Sequence, residues 1–576
     1  MCRHSCSIDA MYIDVVPNRA SPPAVLLRES YRDGTKIRKR TMGNLSSLSM
    51  HQVETIRAVL RNQPLASPDS LFEKVRDQHH GAVDAVRLAM GRLGFDALLD
   101  PRASRERDLV IAMVVARIVS PRSKLATERW WSTTTLPDSL DLDDTTEDDL
   151  YEAMDWLLER QQRIEKKLAA RHLKDDGLVL YDLSSSYFEG VTCPLAALGH
   201  NRDGKKGKLQ VNYGLLTDGR GCPVAISVFK GNTGDTTTLL PQVDKVRSTF
   251  GIKQMVIVGD RGMISQRQID VLSELDGVAW ITALKTGKIR SLVHDGSLQL
   301  GLFDTRNLFE IEHPDFPKER LVACKNHELA KLRAHKRESM LRATEAELAK
   351  VTRIIENGNL HGKDAIGVRV GRVINKYKMA KHFELVIDDA SFHFSRRSET
   401  IEPEAALDGL YVVRTALTKE QSSSDNTVRS YKLLSRVERA FRSFKTVDLH
   451  VRPIYHHLEN RVRAHILLAM LAYYVEWHMK QVWCELLFTD ESPPVDRDPV
   501  VPAKRSEGAE EKARTKVTAY GTSAHSFSTL LADLATITKS TCRRLGANVQ
   551  DATFSLFTKP SALQARAIDL LRSIIV

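Results

Sequence analysis

The sequence has little cysteine and no sign of a disulfide framework. Its seven cysteines (Cys2, Cys6, Cys193, Cys222, Cys324, Cys484 and Cys542) are mostly far apart and odd in number, which points to a reducing compartment. Cys2-Arg3-His4-Ser5-Cys6 could be half of a metal site, but no second ligand pair follows at zinc-like spacing, so a frayed terminus is expected there. A long apolar run is also missing. The longest, Ile466 to Val475, falls far short of the about 20 residues that a membrane span needs, and predicts a buried helix. The first 30 residues lack an apolar core, which excludes a secretory signal and predicts a cytoplasmic protein. There is no internal repeat, so no solenoid. Acidic excess is lacking as well: net charge is +11 and the pI is about 9.2, a balance that suits a polyanionic partner.

What is present is enough chain for two to four domains: 576 residues exceed one hydrophobic core, and 42% apolar with 27% charged content is ordinary for a globular protein. Residues 1–65 read as a small β-rich unit, with strands Met11–Val16 and Ala24–Ser30, a turn at Arg32-Asp33-Gly34-Thr35 and a basic strand Lys36–Met42. Residues 70–172 read as helical. Leu109–Val119 is strongly apolar and stops at Ser120-Pro121, where proline ends a helix. Arg117, Arg122 and Lys124 give this region basic patches suited to a polyanion. Asp138 to Asp155 holds nine acids and no base; Thr145-Thr146-Glu147-Asp148-Asp149 within it fits a helix cap with acids in the first turn. Residues 286–425 interrupt the central region with a mixed α/β insertion. Asn326–Glu356 predicts a long helix or helical hairpin, with Leu341, Leu348 and Ile355 seven apart and Val351 between; Ile366–Ile374, Phe383–Ile387 and Gly409–Arg414 look strand-like. Lys325 to Lys381 carries 14 Lys and Arg against 6 Asp and Glu, most of the excess charge. Residues 491–516 read as a linker and 517–576 as a helical tail.

The region 173–285 has a different pattern. Leu178-Val179-Leu180-Tyr181-Asp182 is a short apolar strand ending in an acid. Leu209–Leu216 and Pro223–Phe229 follow, with the turn Asp218-Gly219 between them. After a helical stretch, Met255-Val256-Ile257-Val258-Gly259-Asp260 is another apolar strand ending in an acid, and Val278–Leu284 is a fifth strand beyond a second helix. Three strands in a meander, then two in parallel through helical crossovers, is the order of a ribonuclease-H-like sheet. It makes the strands of Asp182 and Asp260 neighbours, so that two carboxylates can share a divalent cation. Taken singly, each Asp could equally cap a turn.

A third acid, Glu438, lies in a helix expected over about 427–445, in the second part of the core at 426–490. Leu434, Val437, Phe441 and Phe444 form an apolar stripe, and Tyr431, Glu438 and Lys445, seven apart, form a polar one roughly 80° around the helix. An active-site helix would present such a stripe to a sheet end; so would an ordinary amphipathic surface helix.

Tyr431, Glu438 and Lys445 resemble the Y-x2-R-x3-E-x6-K signature of bacterial insertion-sequence transposases of the DDE type, which have a ribonuclease-H-like core and an insertion before the final Glu. The signature Arg would fall at Leu434, so its role is absent or passes to Arg436, Arg439 or Arg442. Tyr181–Glu189, Phe229–Asp235, Val258–Met263 and His457–Arg463 also resemble segments of that family, and the resemblance covers roughly 70–490. The spacing agrees: 78 residues separate Asp182 from Asp260, and 178 separate Asp260 from Glu438, the excess being the insertion.

The resemblance implies a DNA transposase acting on double-stranded DNA with terminal inverted repeats and on target DNA, as a homodimer in a synaptic complex, in a bacterial, nucleoid-associated setting. It implies catalysis by Asp182, Asp260 and Glu438 with Mg²⁺ or Mn²⁺, two ions about 4 Å apart, Asp182 bridging them. Tyr431, Arg439, Arg442 and Lys445 would contact DNA. A metal-dependent nuclease on the same fold, or a catalytically inactive transposase-derived DNA-binding protein, is the alternative. A tyrosine recombinase would need an Arg-His-Arg cluster, for which the sequence offers no candidate.

Overall fold

The structure is a computed structural model that describes residues 11–18, 22–63, 72–142, 144–494, 497–545 and 552–576. Cys2 to Cys6 lie outside the described residues. The chain forms two compact units: residues 1–78 with 538–558, and residues 79–537 with 559–576.

In the first unit, Met11–Val16, Ala24–Asp33 and Lys36–Asn44 make an antiparallel sheet, with Gly34 at φ +62° in the turn between the last two. The helix Met50–Leu60 follows, closed by a capping box between Ser49 and Gln52. A second sheet brings together distant parts of the chain, in the order Phe554–Phe557, Thr538–Arg544, Phe72–His79. The region expected to be helical from residue 70 therefore opens with a strand. The C-terminal tail carries two strands as well as the helices Phe527–Leu534 and Ala562–Arg572. The polar composition of Thr538–Arg544 hides a strand from any apolar pattern.

The second unit is built on buried helices and one large mixed sheet. Arg105–Val119 is capped by Ser104, ends before Ser120-Pro121, and is buried at every residue from Leu109 to Ile118. Thr146 and Asp149 form a capping box for Glu147–Glu159, the role expected of the acidic run. The apolar run Ile466–Val475 lies inside the 24-residue helix Glu459–Val482 and is buried throughout. No helix among the described residues is long and apolar enough to cross a membrane.

The sheet has eight strands: β1 (Gly177–Tyr187), β2 (Gln210–Asp218), β3 (Pro223–Lys230), β4 (Met255–Val258), β5 (Val278–Ala283), β6 (Leu308–Ile311), β7 (Arg320–Lys325) and β8 (Leu410–Thr415). Their order across the sheet is β6-β7-β8-β5-β4-β1-β2-β3. The antiparallel meander β1-β2-β3 and the parallel pairs β1-β4 and β4-β5 follow the expected connectivity. The insertion is not a separate lobe. It extends the same sheet, β8 returning antiparallel onto β5 with Val413 opposite Ala283. Arg414 of β8 locks this junction: its guanidinium meets Glu319 at 2.5 and 2.6 Å and Gln266 at 3.0 Å, and both charged side chains are 7% exposed.

The basic segment is one 30-residue helix, His327–Glu356, capped by Asn326; Leu341, Leu348, Val351 and Ile355 are its buried stripe. It packs on Lys363–Ile374, which is a helix and not the strand that its valines suggest. Ile366, Val370 and Ile374 are four apart and share one buried face, the helical period. Phe383–Ile387 pairs with Phe392–Arg396 in a hairpin. Where a linker is expected at 491–516, Glu507–Thr515 is helical, Val500 is fully buried, and its carbonyl accepts from Asn326 and Lys432.

Candidate active site

Strand register sets the first two acids side by side. The parallel pairing of β1 with β4 ends at Leu180 opposite Val258. Asp182 and Asp260 each lie two residues further on, at the same level of neighbouring strands, which run about 4.8 Å apart. β1 does not end at Asp182, as the apolar pattern suggests. It continues to Tyr187 along β2 while β4 stops, so Asp182 points from a strand that is paired on one side only. Leu215 lies opposite Asp182 on β2, and Gly214 lies opposite Leu183. A Cβ at Gly214 would lie 2.2 Å from the Tyr181 hydroxyl, so the close packing of buried Tyr181 beside Asp182 depends on that glycine. Asp260 opens a turn: its carbonyl accepts from Met263 at 2.9 Å, and its Oδ2 from the Gly262 amide at 3.4 Å.

The third acid comes from a helix laid across β1. The helical segment expected as one piece is two, Ser424–Lys432 and Leu434–Arg442, followed by a π-helical turn at Ser443–Val447. Leu434, Val437, Phe441 and Phe444 are buried as the stripe requires. The Phe441 ring meets Tyr213 of β2 edge-on at 5.7 Å. Ser443 anchors the π-turn with its hydroxyl within hydrogen-bond distance of Glu476, at 2.7 Å, and of Asp448, at 2.9 Å. Glu438 is left exposed on the side that faces the acids.

Asp182, Asp260, Glu438, Tyr431, Arg442 and Lys445 all line one cleft of about 740 Å³. The Tyr431 hydroxyl donates to Asp260 at 3.4 Å and ties the helix to β4. Burial, then the charge of Asp260, pushes that phenol up. The Asp182 carboxyl is pushed up to about 7, first by burial and then by the negative charges of Asp260 and Glu438.

The basic residues of the cleft divide sharply. Arg202 holds Asp235 with two bonds of 2.6 and 2.7 Å. Lys445 reaches Asp203 at 2.9 Å, and Arg452 pairs with the same carboxylate, whose side chain is 1% exposed. Burial lowers the Lys445 pKa. The π-turn puts more residues into the turn there, and Lys445 still lines the cleft with Tyr431 and Glu438. Arg442, one turn beyond Glu438, has no partner among the described residues. Arg439 does not line the cleft, and its Nε donates to the Ser435 carbonyl at 3.4 Å. Arg436 is tied to the Gly219 carbonyl at 2.7 Å, which leaves Arg442 as the candidate for the arginine missing at Leu434. Arg202, Asp203 and Arg452 escaped sequence reasoning; Asp235 lies in the Phe229–Asp235 segment singled out there.

Two family models match the chain: the Transposase DDE domain over residues 191–475 and the IS1634 family transposase, N-terminal domain over residues 13–69. Together they cover more than half of it. The chain is a DDE transposase of an insertion sequence. The DDE match spans Asp260 and Glu438 and begins just after Asp182. DDE transposases bind, cut and join DNA and use divalent metal ions. None of the curated proteins matches the chain. Among solved structures, a cryo-EM structure of a piggyBac transposase synaptic complex with hairpin DNA matches at 9% identity and a TM-score of 0.31, over 79% of this chain and 69% of that one. A superposition this loose carries no functional weight.

Proposed function

We propose that Asp182, Asp260 and Glu438 are the catalytic acids of this transposase, on a ribonuclease-H-like core, and that they hold two Mg²⁺ or Mn²⁺ ions. The observation that carries the reading is that the three acids meet in one cleft without an ion-pair partner among the described residues. Three carboxylates converge, while Arg202, Lys445 and Arg452 are engaged by other acids. A set of carboxylate oxygens suits hard divalent cations. When bound, such ions supply Lewis-acid stabilisation of the attacking and leaving oxygens of a phosphodiester. The chain's own groups do the rest. β1 and β4 fix two acids in register, Tyr431 orients Asp260, and Arg442 reaches for a strand phosphate. All three acids are present, which favours an active enzyme over an inactive DNA-binding derivative.

The helical region up to residue 172 recognises the terminal repeat in this reading, and two chains form the synaptic complex, because joining two transposon ends requires two active sites. Asp182→Asn keeps the shape of the side chain and loses its charge. It should abolish cleavage in Mg²⁺ and leave end binding intact. Cleavage at the wild-type rate would overturn the assignment.

A further inference from the structure

Beside the catalytic cleft lies a second cavity, of about 510 Å³, and Arg452 lines both. Its walls come from the end of the helix Arg105–Val119, the start of Lys124–Trp131 and the segment 450–465. The charge it contains is peculiar. Lys124 is 5% exposed, its ammonium has no hydrogen-bond or ion-pair partner among the described residues, and burial, then the charge of Arg117, pushes its pKa well down. Arg117 is 6% exposed and makes one bond, of 3.4 Å, to the Leu449 carbonyl. The buried His465 has an unpartnered Nδ1, because its Nε2 is the atom that meets the Val451 carbonyl. Arg461 is stacked on the Tyr151 ring at 4.3 Å and reaches Asp155 only at 4.0 Å. Glu147 is the one carboxylate in the lining, and it accepts from the Tyr151 hydroxyl at 3.0 Å.

Burying cations without counter-charge is unfavourable, and proteins do not normally leave them so. Two such cations lining a cavity whose one carboxylate, Glu147, pairs with neither of them describe a site whose anion comes from outside. We propose that this cavity is a phosphate-binding pocket, taking a phosphate of the DNA strand that enters the adjoining catalytic cleft. The shared wall at Arg452 places a phosphate here next to the strand being processed. The apolar part of the lining, which includes Tyr151 and Leu458, gives room for the sugar attached to it. His456 and His465 are held neutral, first by burial and then by the neighbouring cations, and so complete the pocket without adding charge. The inference deepens the end-binding role of the helical region and rests on that reading only for the source of the phosphate.

The test uses the full chain and two probes, inorganic phosphate and end DNA. Lys124→Met keeps the aliphatic stem, and Lys124→Arg keeps the charge. Thermal melting is recorded in phosphate and in chloride of equal ionic strength, and end-DNA affinity is measured across a salt series. Phosphate should raise the wild-type melting point by about 2 °C or more, and the effect should vanish in Lys124→Met and persist in Lys124→Arg. For a strand phosphate, Lys124→Met should also lower the salt slope of DNA binding by about 0.9. Phosphate protection with an unchanged salt slope would identify free phosphate as the occupant and overturn the DNA assignment. No phosphate effect on the wild type overturns the pocket altogether, whether or not either variant folds. Because no arm reads cleavage, the result is independent of whether the three acids prove catalytic.

Discussion

Asp182 offers a measurement that needs no DNA. In the metal-free chain its carboxyl is pushed from 3.8 up to about 7, by burial first and by Asp260 and Glu438 next. Unfolding returns it to its ordinary value. The folded state therefore holds this proton more tightly than the unfolded chain does, and stability falls as pH rises from about 4 towards 7, levelling off above. Between pH 5 and pH 8 the unfolded carboxyl is already ionised while the folded one loses its proton. At about 1.4 kcal/mol per pH unit this amounts to on the order of 3 kcal/mol. Asp182 keeps partial contact with water in the cleft, and screening brings the expected loss to about 1–2 kcal/mol. Asn cannot titrate. Urea denaturation in EDTA should therefore show Asp182→Asn gaining about 1–2 kcal/mol on the wild type between pH 5 and pH 8. Mg²⁺ added at pH 8 should then stabilise the wild type and leave the variant unmoved. A difference that stays constant across the two pH values would refute the picture of a buried carboxylate crowded by like charges.

Three further outcomes follow from the packing. Gly214→Ala drives a methyl into the Tyr181 hydroxyl and should cost about 1–3 kcal/mol in denaturant melts, with slower cleavage because Asp182 is the next residue on β1. Glu319→Ala strands the buried Arg414 guanidinium and should cost about 3–5 kcal/mol, whereas joint replacement of the pair by apolar residues should cost far less. Lys445→Ala leaves Asp203 to Arg452 and should cost about 1–3 kcal/mol of stability with little change in the salt slope of end binding, whereas Arg442→Ala should lower that slope by about 0.9; equal slopes for the two variants would contradict the division of charge in the cleft.

That the three acids share one cleft could be read from the sequence because the signals are local. Two apolar runs each reach an Asp, and a helical stripe of Leu434, Val437, Phe441 and Phe444 fixes where Glu438 must point. The ion pairs that surround them could not be read this way. Asp203 meets Lys445 across 242 residues of sequence, and no periodicity records such a contact. The π-turn at Ser443–Val447 was hidden for a related reason: it is held by Glu476 and Asp448, not by local propensity. The strands β6 and β7 carry Glu310, Arg320 and Lys325, which break the apolar run that marks the equally short β4. Ile366–Ile374 looks like a strand because its β-branched residues favour one, yet Ile366, Val370 and Ile374, four apart, form the buried face of a helix.

The small sheet that joins Phe72–His79 to Thr538–Arg544 imposes an order on the life of the molecule. Arg543 meets Glu73 at 2.9 Å across 470 residues, so one strand of that sheet waits for its neighbour until all the sequence between them has been made. During synthesis the first strand is an unpaired edge, open to chaperones and to pairing with the wrong chain. The first unit thus closes in two stages: its sheet of residues 11–44 can pair at once, while the edge at Phe72–His79 stays open until Thr538–Arg544 arrives.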